Sequence, residues 1–251
     1  TGMLLSLLPV CATWPNDRLL LFASFGAFGL IAIFLSRAFA VVGRERIFIR
    51  VVAWLMVLVH IVLAPLLLPV RARTVGKLLH AYIESAARTL PVRPGATYVV
   101  VNAPDPLVTS IAGAVHHYQD PQPLTEHLRQ LSTAVEGVVS VERVDDHTLS
   151  VSASQGFFND SFSQVFRSPS RPFRVGDVVS VKGMRVEIME ASAEGIPRRI
   201  QYHFDTTLDD PSMVWITWEK QGFIPFTPPG RGEKATVPSV GMVEALTGDK
   251  P

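Results

Sequence analysis

Two histidines and an aspartate, His116, His117 and Asp120, form the cluster in this sequence that most resembles a metal site. Imidazole and carboxylate groups are common protein ligands of zinc, so the residue types suit a metal centre. The spacing does not, because adjacent residues on a helix point about 100° apart, whereas residues that share one face are three or four positions apart. We therefore predict no metal and no other cofactor, and keep these three residues as candidate ligands only.

A second candidate site follows the stretch YVVVNAPDP, where a buried strand over residues 98–101 leads into a polar turn. A helix is predicted over residues 107–117, and the free N–H groups of a helix N-terminus can hold a ligand. Asn102 and Asp105 in the turn, together with the histidine pair, are the candidate catalytic residues of a hydrolase or transferase. The turn lacks the expected glycines, which favours a turn former and a helix cap instead.

The remaining polar candidates do not assemble into a catalytic set. The acid pairs Asp145/Asp146 and Asp209/Asp210 fall in predicted turns, where acidic residues are ordinary. Ser110 lies near the histidine pair, but VTSIAG is not the glycine-flanked elbow that exposes a serine nucleophile. The sequence therefore leaves enzyme activity open and favours a protein that is not an enzyme.

Two apolar segments without charges, residues 19–36 and 51–70, precede all of these candidates. A helix needs about 20 residues to cross about 30 Å of hydrocarbon, so both are predicted to be transmembrane helices. Residues 3–13 are too few to cross alone and are predicted to end a truncated helix. Residues 1–70 are thus predicted to be a membrane region whose partners are lipid and upstream helices of the same protein.

Basic residues around the two spans bear on their orientation. The stretch between the spans contains Arg37, Arg44, Arg46 and Arg50 against Glu45, which by the positive-inside rule favours a cytoplasmic connection. Basic residues that follow the second span favour the opposite orientation. We predict a protein of the bacterial inner membrane with an extracytoplasmic tail.

His60 is the only ionisable residue inside the second predicted span. An ionisable group in lipid can mark the path of a transporter or channel. The alternative is a neutral imidazole that forms a hydrogen bond with a neighbouring helix.

Residues 71–94 are predicted to be an amphipathic connecting helix followed by a PVRPG stop. This helix could lie on the membrane surface or cover one face of the tail domain. The tail, residues 95–230, is predicted to be a β-rich soluble domain with a further helix over 124–133, and residues 231–251 a flexible tail. The predicted class is α+β: a transmembrane helical hairpin and a truncated third helix, then a mainly antiparallel barrel- or sandwich-like domain.

Alternating sequences in the tail predict β-hairpins around Asp145/Asp146 and around Lys182–Gly183. Trp215 and Trp218 are three residues apart on a predicted strand and should face opposite ways. We expect one to be buried and the other to be available to a protein partner.

Bulk composition excludes some classes of function. The net charge is +1, and no basic run is interleaved with aromatic residues, so a nucleic-acid partner is not expected. The single cysteine, Cys11, excludes an internal disulfide and a multi-thiolate metal site.

Two resemblances to known families are present. FRVGDVVSVKG is similar to the start of the β domain of small-conductance mechanosensitive channels, but no Gly/Ala-rich pore helix precedes it and we interpret it as a generic hairpin. Four stretches together resemble the C-terminal portion of an uncharacterised family of bacterial polytopic membrane proteins. They are LLPVCATWPNDRLLLFASFGAFGL, VVVNAPDP, FRSPSRPFRVGDVVSVKGMRVEI and DDPSMVWITWEKQGFIPFTPPG. That resemblance implies upstream helices and a soluble tail, and supplies no catalytic residues.

Together these features favour an integral membrane protein with a non-catalytic tail that acts as an interaction or regulatory module. A membrane-bound hydrolase or transferase, and a part of a transporter or channel, are the alternatives.

Overall fold

The computed structural model describes residues 4, 7, 21–40, 46–91, 93–119, 127–134, 136–159, 163, 170–241 and 244–245. The chain divides into two compact units, Thr1–Gly76 and Lys77–Pro251. Apart from residues 4 and 7, the truncated helix predicted at 3–13 lies outside the described residues, and so does Asp120.

Both apolar segments predicted from the sequence are helical where the structure describes them, over residues 21–36 and 51–70. Helix α1 spans Leu21–Ala40, α2 spans Arg46–Val57, a π-helical turn spans Leu58–Leu63, and α3 spans Ala64–Thr89. By length and composition, two stretches, Ala23–Ala40 and Ile47–Thr89, could each cross a membrane. Small residues mediate the contact of α1 with α2, where Ala38 and Ala53 are buried and the rings of Phe39 and Trp54 meet edge to face at 5.5 Å.

The π-helical turn adjoins a proline. Pro65 has no N–H, so the carbonyl group of Ile61 loses the donor that a regular α-helix would supply four residues later. At the end of the turn the N–H of Ala64 donates to Val59 O, five residues back. The wider turn is a local adjustment of the kind that accommodates proline in a long helix.

The second unit contains a four-stranded sheet in the order β2-β1-β8-β9. Its strands are β1 (Thr97–Val100), β2 (His127–Gln130), β8 (Met213–Glu219) and β9 (Gly222–Pro225). Strand β1 is parallel to both β2 and β8, whereas β8 and β9 are antiparallel. Helix α4 (Pro106–Gln119) connects β1 to β2, as a parallel pair requires.

The predicted helix at 124–133 is wrong over His127–Gln130, which form β2. Residues 120–126 lie outside the described residues. The four residues of β2 gain their backbone partners from β1, from Thr97↔His127 to Val100↔Gln130. This long-range pairing overrides the local preference for a helix.

The other sheet has six antiparallel strands in the order β10-β3-β4-β7-β6-β5. They are β3 (Val138–Arg143), β4 (Thr148–Ala153), β5 (Val178–Val181), β6 (Met184–Ala191), β7 (Pro197–Phe204) and β10 (Lys234–Pro238). Both predicted hairpins, β3–β4 and β5–β6, are confirmed. Gly183 has φ 82° in the tight β5–β6 turn, a conformation that glycine adopts without strain.

The predicted α+β class is confirmed, with two corrections in the tail. The sheets stay separate and open, with β10 and β5 at the edges of the larger one, so the closed-barrel alternative is wrong for the described residues. The predicted flexible tail at 231–251 is wrong over Lys234–Pro238, because these residues form β10 and pair with β3.

The four-stranded sheet is apolar on both faces. Val99, Val101 and Trp215 share one core with the inner face of the six-stranded sheet. On the opposite face, Tyr98 and Trp218 share a second core with α3 and α4. The unit therefore has three layers, with the short sheet between helices and the larger sheet.

Tyr82 and Ala86 on α3, and Leu90 directly after the helix, are buried in the second core. The connecting helix is predicted either to lie on the membrane surface or to cover one face of the tail domain. These buried residues cover a face of the tail domain. Trp215 and Trp218 face opposite ways as predicted, but both are buried. The expectation that one of them is available to a partner is therefore wrong.

Candidate functional site

Asp105 lies at the N-terminus of α4 and is 4% exposed. Its Oδ1 accepts hydrogen bonds from the backbone N–H groups of Leu107 and Val108, both at 2.7 Å. Pro106 occupies the first helical position, where its missing N–H costs nothing. The helix N-terminus predicted as a ligand site is thus capped by its own aspartate, and the predicted helix-cap role is confirmed.

The second carboxylate oxygen of Asp105 accepts a hydrogen bond of 2.5 Å from the hydroxyl group of Tyr82 on α3. Burial raises the pKa of Tyr82, and the charge of Asp105 and this hydrogen bond raise it further. The phenol therefore stays protonated and acts as a donor, not as a base. This link joins α3 to α4.

Gln130 extends the polar network from Asp105 to the end of β2. Its Nε2 donates to Asp105 O at 3.2 Å and to Ser132 O at 3.3 Å. Its Oε1 accepts from the hydroxyl group of Thr109 on α4 at 3.0 Å. Sequence analysis missed Tyr82, Thr109 and Gln130, because no local pattern shows that these three elements meet.

Asn102 is 0% exposed, at the end of β1. Its Nδ2 donates to Ala134 O at 3.1 Å and to Pro238 O at 3.2 Å, and its Oδ1 accepts from Ala134 N at 3.0 Å. One buried amide thus holds together the chain after β2 and the end of β10. All of these bonds go to backbone groups, as expected of a structural amide.

The histidine pair lies near the other end of α4. Asp105 and His116 are separated by nearly the whole helix, about 16 Å at a rise of about 1.5 Å per residue. His117 is exposed, and the side chain of His116 is outside the described residues. The structure therefore does not bring Asn102, Asp105 and the histidine pair together, and Ser110 is an exposed residue of the same helix.

One carboxylate of each predicted acid pair, Asp146 and Asp209, contacts a cation that the sequence alone does not indicate. Arg143, at the end of β3, has a side chain only 9% exposed. Its Nη1 and Nη2 donate to the two oxygens of Asp209 at 2.9 and 2.5 Å, and Nη2 also donates to Asp146 at 3.2 Å. This cluster joins the β3–β4 turn to the chain before β8.

Hydrogen bonds lower the pKa of two carboxylates in this region, those of Asp145 and Asp209. The backbone N–H of His147 is the main group that lowers the pKa of Asp145, and the guanidinium group of Arg143 lowers the pKa of Asp209. Asp145 accepts a backbone hydrogen bond, and Asp209 is the charge partner of Arg143. Neither has the raised pKa of a general acid.

We expect the Asp209–Arg143 pair to make stability pH-dependent below about pH 4. The folded-state pKa of Asp209 lies below the unfolded value of about 3.9, so the unfolded chain binds more protons in this window and stability falls as pH falls. Asp209→Asn should therefore lower the free energy of unfolding at pH 7, and its difference from wild type should narrow at pH 3. Urea unfolding of wild type and Asp209→Asn at both pH values measures the difference in the free energy of unfolding. Asp205→Asn, a substitution outside the cluster, is the control. An equal difference at both pH values would contradict the assignment.

His60 lies in the π-helical turn. Its Nδ1 is 3.1 Å from Met56 O, one turn back in the same helix, and its ring meets Phe28 of α1 edge to face at 6.4 Å. The hydrogen bond is thus made within its own helix, and α1 supplies an aromatic contact.

Within the described part of the chain, no three His, Cys, Asp or Glu residues are grouped so that they could hold a metal ion. Comparisons with protein-family models, with curated proteins and with solved structures find no match. The candidate site is therefore a polar network in which Asn102 and Asp105 fix helices and strands to one another.

Proposed function

We propose that this chain belongs to a membrane protein and that its β-rich unit is a non-catalytic regulatory or interaction module. The observation that carries the proposal is the apolar surface of the helices between residues 21 and 70. Large side chains exposed there include Phe25, Phe28, Ile33, Trp54, Ile61 and Leu67. A water-soluble protein rarely exposes so large a contiguous apolar patch.

The few buried residues of these helices support the same reading. Ala23, Ala38 and Ala53 are buried, while most of the large residues point outward. Small residues at helix contacts and large apolar residues outside are typical of helices packed in lipid. A lipid bilayer and further helices of the same polytopic protein are the partners that would cover this surface.

The second half of α3 supports a mechanical role for the module. Besides the Tyr82–Asp105 bond, Ser85 Oγ donates to Gln221 O, and Thr89 Oγ1 accepts from Phe223 N at 2.9 Å. Gly222 permits this approach, because a Cβ at that position would lie 2.8 Å from the side chain of Thr89. A displacement of this half of α3 would therefore move β9 and α4 with it.

The polar groups that could have served catalysis support a non-catalytic module. Asn102 bonds only to backbone groups, Asp105 caps α4 and binds Tyr82, and Asp209 is paired with Arg143. A general base must reach a substrate proton, and these groups are already occupied inside the fold.

We expect the full chain to behave as an integral membrane protein. After expression in bacteria, it should stay in the membrane pellet through alkaline carbonate and urea and be released by detergent. Leu30→Arg with Val59→Arg should abolish this retention, since the pair places one arginine near the centre of each span, and each such arginine costs about 2.5–3.5 kcal/mol. Quantitative immunoblotting of the fractions measures the result.

The matched control is Val178→Arg with Val181→Arg, which places the same charges on the exposed edge strand β5. This variant should be retained like the wild type. Release of the wild type without detergent as a monodisperse species would overturn the proposal. Protease added outside spheroplasts should digest the tail if it is extracytoplasmic, and protection would reverse the proposed orientation.

A further inference from the structure

An open end of the space between the two sheets forms a cleft of about 260 Å³. It lies at the starts of the parallel strands β1 and β8 and beside the β5–β6 turn. The lining residues used below are Thr97, Arg129, Lys182, Phe204, Asp205 and Met213. The volume is below the ~300–1,000 Å³ typical of pockets for drug-sized ligands, so the cleft suits a smaller molecule.

Arg129 reaches into this cleft from β2. The residue is half-buried, and its Nη2 donates to the backbone carbonyl group of Lys182 at 2.6 Å. Its Nη1 is 3.4 Å from Leu128 O, a weak contact. Across the described ranges no carboxylate forms an ion pair with it, although Asp205 lines the same cleft. Part of the guanidinium fork is therefore unused.

Arg143 is an arginine of the same domain with a structural role, and its contacts can be compared with those of Arg129. Its guanidinium group is bound through both terminal nitrogens to Asp209 and also contacts Asp146. A half-buried guanidinium that lacks such a partner retains donors arranged to bind a carboxylate or phosphate. Arg129 thus differs from Arg143 in the way expected of a ligand-binding group.

The charges and apolar residues of the cleft lining indicate which class of ligand it would bind. Lys182 and Arg129 bring two positive charges and Asp205 one negative charge, so the net charge of the rim matches a monoanion better than a dianion. Thr97 adds a hydroxyl group. Phe204 and Met213 are buried and form an apolar floor.

We propose that this cleft binds a small monocarboxylate with a short apolar chain. The carboxylate lies on Arg129, with Lys182 supplying further positive charge, and the chain lies against Phe204 and Met213. The site belongs wholly to the Lys77–Pro251 unit, so the proposal does not depend on whether the apolar helices cross a membrane.

Hexanoate is the probe for this site. The full chain, purified in whichever lipid, detergent or buffer keeps it monodisperse, should show saturable binding by saturation-transfer NMR and calorimetry, with the same medium without protein as the blank. Hexan-1-ol, which keeps the apolar chain and lacks the charge, should bind at least about 10-fold more weakly, because hydrogen bonds to charged groups are the stronger ones.

Arg129→Gln should weaken hexanoate binding about 10-fold or more, since it removes the charged fork. The matched control is Arg174→Gln, an exposed arginine outside the cleft lining, which should leave the affinity unchanged within about 2-fold. Lys182→Gln keeps the backbone carbonyl group that Arg129 uses, and should weaken binding about 3-fold by removing one nearby charge.

Asp205→Asn should change the affinity for hexanoate in the opposite direction to Arg129→Gln. It therefore tests the proposal even if the Arg129 variant fails to fold. Loss of this negative charge should tighten hexanoate binding about 3-fold. The proposal is overturned if hexanoate does not bind, if hexan-1-ol binds as tightly, if Arg174→Gln has the effect of Arg129→Gln, or if Asp205→Asn weakens binding.

Discussion

Replacing Asp105 by alanine is expected to destabilise the Lys77–Pro251 unit by about 2–5 kcal/mol. The carboxylate caps α4 through two backbone N–H groups, and loss of such a cap costs about 1–2 kcal/mol. It also accepts from the buried hydroxyl group of Tyr82, which would be left without that acceptor at a cost of about 1–3 kcal/mol. Urea unfolding of the full chain, followed by near-ultraviolet circular dichroism, measures the change.

Three variants separate the two contributions. Asp210, like Asp105, accepts a hydrogen bond from the backbone N–H two residues later, but it does so at an exposed turn. Asp210→Ala should therefore lower the free energy of unfolding by about 1 kcal/mol or less. Tyr82→Phe should lose only the hydroxyl contribution. Asp105→Asn keeps an oxygen for the cap and should be milder than alanine. Wild-type stability of Asp105→Ala would refute the assigned structural role.

The second large effect is expected at Trp218, whose replacement by alanine should cost about 3–5 kcal/mol. The side chain is 0% exposed and contacts Tyr82 and Phe223, with ring centroids at 5.3 and 5.0 Å. Its Nε1 also donates to Lys220 O at 3.0 Å. Removal therefore opens a cavity in the layer between α3 and the short sheet. The same urea titration, followed by far-ultraviolet circular dichroism, gives the cost.

Trp54→Ala is the control for loss of a tryptophan, because Trp54 is exposed and belongs to the first unit. It should leave the unfolding transition of the β-rich unit unchanged. Trp218→Phe should fall between wild type and alanine, since it refills part of the cavity. A near-neutral Trp218→Ala would restore the earlier expectation that this side chain serves a partner surface.

Local patterns in the sequence predict the helices and strands that form because of residues near one another in the chain. Uncharged apolar runs predicted the helical segments, and alternation around Asp145/Asp146 and Lys182–Gly183 predicted two hairpins. The strand at 98–101 was predicted because a strand buried on both faces has a continuous apolar run.

Elements that depend on distant partners escaped prediction. HLRQ in β2 lacks the apolar alternation of a strand, and KATVP in β10 alternates over only five residues and ends in a proline. Both form strands because β1 and β3 supply their hydrogen bonds. The candidate site escaped for the same reason. Tyr82 lies on α3 and Asp105 caps α4, while Arg143 ends β3 and Asp209 precedes β8, so the packed layers alone set their pairing.

The place of β1 in the middle of its sheet has a consequence for biosynthesis. Thr97 pairs with His127 on one side and with Met213 on the other, so one flank of β1 stays open until β8, more than 100 residues later in the chain, has left the ribosome. Contacts so distant in sequence form slowly, because a long loop must close first. The nascent chain therefore carries an unpaired strand edge from the synthesis of β1 until the synthesis of β8, which makes chaperone protection of this segment an expected requirement in the cell.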